Sequence, residues 1–105
     1  MTQELLLVLT TLATQSDAQA LARAMVEQRL AACAQIQPIE SIYRWQGAVQ
    51  QEPEWRLLLK TTAARYPALQ AALRARHPYE LPAIAALPCS HALPEFAHWV
   101  AAEVG

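Results

Sequence analysis

The stretch that decides the fold is ACAQIQPIESIYRW (residues 32–45), then QG (46–47), then AVQQEPEWRLLLK (48–60). A two-residue connection ending in glycine is typical of a tight β-hairpin, because glycine accepts the positive φ that such turns require. Arms of this length would extend roughly 43 Å at about 3.3 Å per residue. A compact chain of this size is only about 35 Å across. We therefore expect the hairpin to project beyond its own domain.

The outer part of this hairpin is expected to carry three aromatic residues, Tyr43, Trp45 and Trp55. A projecting tip of this kind leaves apolar side chains and strand edges in water unless a neighbour covers them. Large aromatic residues also contribute most of the binding energy in many interfaces. The sequence thus predicts an obligate oligomer in which these three residues are interface contacts.

Composition limits the class of protein. The chain has 105 residues, of which 54% are hydrophobic and 16% charged, with a formal net charge of -1. This length suits one domain spanning residues 1–105. The apolar excess fits subunits that bury surface against one another, and the scattered basic residues argue against a nucleic-acid partner.

The sequence also gives expectations about location and about its cysteines. No apolar run is long enough to span a bilayer, and residues 1–4 lack the basic flank of a secretory signal, so we expect a cytoplasmic protein with no membrane partner. Cys33 and Cys89 are far apart without a CxxC spacing, which argues against a disulfide framework or a zinc ribbon.

Apolar spacing predicts the remaining elements. Residues 5–9 form an aliphatic run typical of a buried strand, followed by a loop over 10–15. Ser16 with Gln19 is a capping-box pattern for a helix reaching about residue 29. The apolar phase changes at Pro38, which predicts a bulge or bend where the second strand leaves the sheet.

Beyond the hairpin, Pro67 is expected to open a second helix that Pro78 ends. Residues 84–87 read as a fourth strand, and Pro94 opens a short helix whose apolar face is Phe96, Trp99 and Val100. The order βαββαβα predicts an α+β fold. It matches the ferredoxin-like βαββαβ sandwich with an extended hairpin between the second and third strands and a C-terminal helix.

This topology serves many functions and does not select one. An RNA-recognition module would need stacking aromatics on its central strands, whereas residues 5–9 are all aliphatic. A phosphatase of this fold would need a glycine-rich anion loop, and the chain has only Gly47 and Gly105. A metallochaperone would carry an early CxxC.

Several blocks carry a more specific resemblance. They are LAAC (30–33), SIYRWQG (41–47), Glu54 leading to LLKT (58–61), HPYE (77–80), Pro82 and Trp99. In order and spacing these blocks resemble the CutA1 divalent-cation-tolerance family over essentially the whole chain. The resemblance implies a tight homotrimer similar to the PII signalling trimers and a role in tolerance to copper and other divalent cations. It implies no established enzymatic reaction.

The resemblance also implies a copper site, formed in the family by a cysteine at the end of the first strand and two adjacent histidines before Pro-Tyr. The matching positions here are Thr10, Arg76 and His77. Only His77 keeps a good ligand, since a threonine hydroxyl is weak and a guanidinium stays protonated. We therefore expect copper, or another divalent cation, to bind weakly.

Other residues are candidate ligands on their own chemistry. Neutral imidazole binds copper and zinc, so His77 at a surface cleft is the first choice; the alternative is a helix-terminal histidine interacting with the dipole. Cys89 and His91, at i and i+2 of an extended segment, would point the same way and suit Cu(I) or Zn(II). Cys33 is either a thiolate ligand or a small buried residue, and His98 is expected in solvent.

A second hypothesis concerns a cleft between subunits. Lys60, His77, Tyr79 and Glu80 could bind a small anion or perform acid–base chemistry there. The competing interpretation is a structural ion pair with a buried tyrosine hydrogen bond.

The leading functional prediction is a cytoplasmic homotrimer for divalent-metal tolerance, without enzymatic activity. The alternative is a PII-like sensor or signalling trimer that binds a small molecule between subunits. A hydrolase using His77 and Lys60 is a third, less supported hypothesis.

Overall fold

The computed structural model describes residues 4–105, whose elements follow the predicted order βαββαβα. They are β1 (Leu5–Leu12), α1 (Gln15–Glu27), β2 (Cys33–Trp45), β3 (Ala48–Thr62), α2 (Tyr66–Arg76), β4 (Ile84–Pro88) and α3 (Pro94–Val104). The strands form one antiparallel sheet in the order β2-β3-β1-β4. The α+β class is therefore confirmed.

β1 lies in the middle of the sheet, paired with β3 on one side and β4 on the other. Its even-numbered side chains face α1 and α2, because successive residues of a strand point to opposite faces. Leu6, Val8 and Leu12 on that face join the main core with Leu57 and Leu59 of β3. The loop predicted over residues 10–15 is wrong in its first half, because β1 continues to Leu12. The strand is longer because it pairs with β3 as far as Trp55.

α1 begins earlier than the capping pattern suggested. Thr14 is the N-cap, and its hydroxyl accepts a hydrogen bond from the backbone N–H of Asp17 at 3.1 Å. The prediction of Ser16 as N-cap is wrong, because Ser16 already lies in the first turn. The helix ends at Glu27, and the chain then turns through Arg29 with φ of 59°.

β2 and β3 form the long hairpin that the sequence predicts. Each residue from Cys33 to Trp45 has one partner on β3, so of the two alternatives predicted at Pro38 the bulge is wrong, and the bend stays a prediction. Pro38 pairs with Trp55, and Trp55 is also the last partner of β1. Beyond that point only two strands remain, which we call the ribbon (residues 39–54). The alternation of apolar residues along β2 changes phase at this point, because the helices no longer cover one face of the two strands.

The ribbon gives the molecule its shape. Gln46 and Gly47 make the tight turn with φ of 52° and 80°. The principal extents are 47, 25 and 21 Å, and the radius of gyration is 14.3 Å. The long axis fits a hairpin that projects beyond its domain, as predicted.

The second face of the sheet is only partly covered. α3 packs at one end of it, where Leu5, Ala32, Val100 and Val104 form a small cluster. Trp99, predicted on the apolar face of α3 with Phe96 and Val100, stacks on the Phe96 ring with 5.9 Å between the centroids and is 43% exposed in the single chain. The rest of this face, called the open face, carries half-buried or exposed apolar side chains. They are Leu7, Leu9, Leu58 and Leu87.

Among residues 4–105 no helix has the length and apolarity needed to cross a membrane. The expectation about a secretory signal concerned residues 1–4, of which 1–3 lie outside the described part of the chain.

Candidate functional site

His77 follows the last residue of α2 and is the centre of the candidate site. It is only 8% exposed in the single chain, and its expected position at a surface cleft stays a prediction. Its Nε2 lies 2.9 Å from the carbonyl oxygen of Thr11 and 3.1 Å from the hydroxyl of Thr10. Its Nδ1 accepts the backbone N–H of Tyr79 at 3.2 Å. Both ring nitrogens are therefore engaged.

These contacts determine the protonation of the ring. Because Nδ1 accepts a hydrogen bond, the proton of the neutral ring lies on Nε2, which donates to Thr11. Burial lowers the pKa of His77 below its ordinary value. The hydrogen bond to Thr11 and the charges of Glu54 and Asp17 oppose this shift without cancelling it.

Tyr79 links the histidine to a buried carboxylate. Its ring is tilted against the His77 imidazole, with 4.8 Å between the centroids. Its hydroxyl donates to Glu54 Oε2 at 2.6 Å, and Glu54 is 8% exposed. Burial raises the pKa of Tyr79 well above its ordinary value, and the hydrogen bond to Glu54 and nearby negative charge add to the shift. The phenol is thus a stable donor at neutral pH.

Glu54 was missing from the predicted cleft. The only sequence signal for it was an acidic residue between Pro53 and Trp55, at the base of the ribbon. Its hydrogen-bond partner, Tyr79, comes 25 residues later in the chain. Side chains that meet only through tertiary structure leave no local pattern.

Lys60 and Glu80, the other predicted cleft residues, lie elsewhere in the single chain. Lys60 pairs with Leu7 and Cys33, and its ammonium donates to the side-chain oxygen of Gln35. Leu57, opposite Thr10, is three residues away, which is about 10 Å along a strand. Glu80 is exposed in the loop after α2. A cleft that joins them to His77 through a second subunit stays a prediction.

The segment with Cys89 and His91 follows β4 and bends at Ser90. β4 ends at Pro88, and the Cys89 thiol donates to the backbone carbonyl of His91 at 3.1 Å. Ser90 Oγ lies 3.0 Å from His91 Nδ1. The two-residue alternation that was expected to align the two side chains is therefore interrupted by the bend at Ser90.

No group of three or more histidine, cysteine, aspartate or glutamate side chains that could hold a metal occurs within residues 4–105. Thr10 and His77 do lie together, but the Thr10 hydroxyl is buried in a hydrogen bond with the ring. Arg76 is exposed in the last turn of α2. The metal roles of His77, Cys89 and His91 stay predictions.

The aromatic residues of the hairpin divide into two sets. Tyr43 and Trp45 lie on the ribbon, each 38% exposed, and the Tyr43 hydroxyl contacts the Glu52 carboxylate. Trp55 lies opposite Leu12 and packs against the main core, so its predicted place at the tip is wrong. The end of β1 brings the core up to this tryptophan. The interface role of all three residues stays a prediction.

Comparisons with known proteins agree over nearly the whole chain. A family model described as CutA1 divalent ion tolerance protein matches residues 6–103. The divalent-cation tolerance protein CutA of Thermus thermophilus is 43% identical over 99 residues, covering 93% of this chain and 96% of that protein. The solved structure of CutA from Synechococcus elongatus has a TM-score of 0.94 at 42% identity, covering 99% of this chain and 93% of that one.

Proposed function

The chain belongs to the CutA1 divalent ion tolerance family, and from this premise we propose that it is a homotrimeric copper-tolerance protein that binds metal ions without catalysing a reaction. The observation that carries the proposal is the family match over residues 6–103. The similar proteins reported above are divalent-cation tolerance proteins and do not favour the PII-like small-molecule sensor.

The trimer is supported by surfaces that the single chain leaves in water. Ile42 and Val49 on the ribbon are 64% and 63% exposed, and Leu87 on the open face is 53% exposed. A two-stranded ribbon without a covered face is marginally stable in water. We propose that the sheet has the ferredoxin-like arrangement and that three copies cover these surfaces as in PII trimers. The interface would exceed roughly 2,000 Å², which is in the obligate range.

Metal binding in this proposal is weak. A copper ion that used His77 would have to displace the hydrogen bond of Nδ1 or that of Nε2. Cys89 and His91 could add a thiolate and an exposed imidazole. We further propose that the protein acts in the cytoplasm, with no nucleic-acid or membrane partner.

Growth under metal stress tests the function. In a bacterial strain without its own relative of this protein, the parent chain should raise the copper concentration that permits growth. Zinc and cobalt arms would show whether the protection is general, and Arg74→Gln is a surface control that should protect equally. Equal growth with the parent and with an empty vector, at matched expression, would overturn the proposed function.

A binding assay separates the two functional classes. Copper titrated into the metal-free protein should give weak binding, whereas a nucleotide panel should give no tight binding. Tight binding of a nucleotide would instead favour the sensor hypothesis.

A further inference from the structure

A cavity of about 270 Å³ lies at the end of the molecule opposite the ribbon tip. Three chain segments meet there: the end of α1, the junction between β3 and α2, and the end of α3. Its wall includes Arg29, Thr62, Arg65 and Val104. It shares no lining residue with the His77 site.

Arg65 brings a positive charge to this cavity that no acidic side chain balances. One terminal nitrogen of its guanidinium donates to the carbonyl oxygen of Arg29 at 3.2 Å. Its Nε is buried and has no hydrogen-bond partner among residues 4–105. Neither ion pair of those residues, Arg23–Glu27 or Arg29–Glu103, includes Arg65. Buried donors nearly always have a partner, and an orphan calls for one such as an ion.

Arg29 adds a second guanidinium. It donates to the carbonyl oxygen of Ala102 at 3.1 Å and lies 3.9 Å from the Glu103 carboxylate. Both side chains of that ion pair are about half exposed, so the pair is weak. The carbonyls of Arg29 and Ala102 thus already accept bonds, while each guanidinium has five N–H donors. The two guanidiniums therefore have more N–H donors than the acceptors that contact them among residues 4–105.

The start of α2 adds to the positive electrostatic potential of this cavity. Arg65 is its N-cap and makes no side-chain capping bond, so N–H groups of the first turn lack a side-chain cap. The positive end of the helix dipole favours an anion at this place.

We propose that this cavity binds a phosphate group through the guanidiniums of Arg29 and Arg65. The guanidinium fork matches the oxygens of phosphate, and charge-assisted bonds from the terminal nitrogens would balance the Arg65 charge, which neither ion pair of residues 4–105 includes. The volume is about nine times the ~30 Å³ share of one water, which is room for phosphate with a short substituent. The site is independent of the proposed metal role.

Thermal unfolding at constant ionic strength tests the proposal, because a ligand that binds only the folded protein raises its Tm. Inorganic phosphate and glycerol phosphate are the two probes, with chloride as the reference anion. Parent and Arg74→Gln, which removes an exposed arginine at the other end of α2, should show the same rise. Arg65→Gln should weaken phosphate binding at least tenfold. A larger rise with glycerol phosphate than with phosphate assigns the site to an ester, and the reverse assigns it to the free ion.

Two results would overturn the site: no rise above chloride in the parent, or an equal rise in Arg65→Gln. If Arg65→Gln does not fold, Arg29→Gln takes its place with the same expectation. Amide chemical shifts of the parent give a check without mutation. Phosphate should move Ala64, Arg65 and Gly105 most, and shifts confined to other regions would contradict the proposal.

Discussion

A single tyrosine–glutamate hydrogen bond, with its carboxylate buried, joins the loop after α2 to the base of the ribbon. Tyr79 donates to Glu54 at 2.6 Å, and the same loop holds His77 against Thr10 and Thr11. The sequence could predict that His77 ends a helix before Pro78, because that signal is local. It could not predict that the ring would be buried, since its partners lie 66 and 67 residues earlier.

Tyr79→Phe should lower the free energy of unfolding by about 1–3 kcal/mol, because the buried Glu54 carboxylate loses its donor. Tyr66→Phe is the matched control: it removes the same hydroxyl from an exposed bond to Gln70 and should cost less than about 0.5 kcal/mol. Urea denaturation of both variants gives the comparison. Equal losses of unfolding free energy in the two variants would contradict a larger contribution from the Tyr79–Glu54 hydrogen bond.

The lowered pKa of His77 makes stability depend on pH. Below the ordinary pKa of about 6.5 the unfolded chain binds a proton that the folded chain does not. Stability should therefore be fully present above that value and fall as the pH drops through it toward the folded pKa. With chelator present to exclude metal, His77→Gln should flatten this fall in urea midpoints measured from pH 8 to 5. His98→Gln, on the exposed side of α3, should keep it.

Copper binding is the third prediction at this scale. Titration should give weak affinity that falls as the pH drops, because protons compete for the imidazole. His77→Ala should weaken the binding further, and Cys89→Ser should have a smaller effect. Unchanged affinity in both variants would contradict the assignment. Binding that needs Cys89 but not His77 would move the site to Cys89 and His91.

At the scale of elements, the sequence predicted those features that neighbouring residues determine. The Gln46-Gly47 turn, the helix opening near Pro67 and the order of all seven elements follow from residues next to one another in sequence. The errors at Pro38 and Trp55 share one cause: β1 continues to Leu12 and pairs with β3 as far as Trp55. The longer strand sets where the ribbon leaves the sheet. The error at Ser16 has a local cause, because the Thr14 hydroxyl caps α1 two residues earlier.

The turn offers a test of backbone strain without a steric clash. A Cβ on Gly47 would meet no atom within 4 Å, yet its φ of 80° disfavours any other residue. Gly47→Ala should therefore destabilise the protein by about 1–2 kcal/mol. Gln46→Asn should be neutral or stabilising, because asparagine suits the φ of 52° at position 46. A neutral Gly47→Ala in chemical denaturation would mean that the tip refolds into another turn.

At the scale of the whole molecule, the ribbon and the open face expose large apolar side chains in the single chain, among them Ile42 at 64%, Val49 at 63% and Leu87 at 53%. The sequence predicted the projecting hairpin from arm length alone, and the 47 Å axis agrees. It could not predict the open face, because Leu7, Leu9 and Leu58 read as ordinary strand residues until α3 is seen to cover only one end.

The trimer predicts an order of mutational effects that a monomer would reverse. Light scattering should give about three times 11.6 kDa at micromolar concentration. Trp45→Ala should cost roughly 3 kcal/mol or more of unfolding free energy through lost interface packing.

A matched valine pair tests position alone: Val49 on the ribbon is 63% exposed in one chain and Val26 on α1 only 38%. In a monomer Val26→Ala would cost more, whereas a covered ribbon makes Val49→Ala the costlier change. A folded species of 11.6 kDa, with Trp45→Ala melting within a degree or two of the parent, would contradict the assembly.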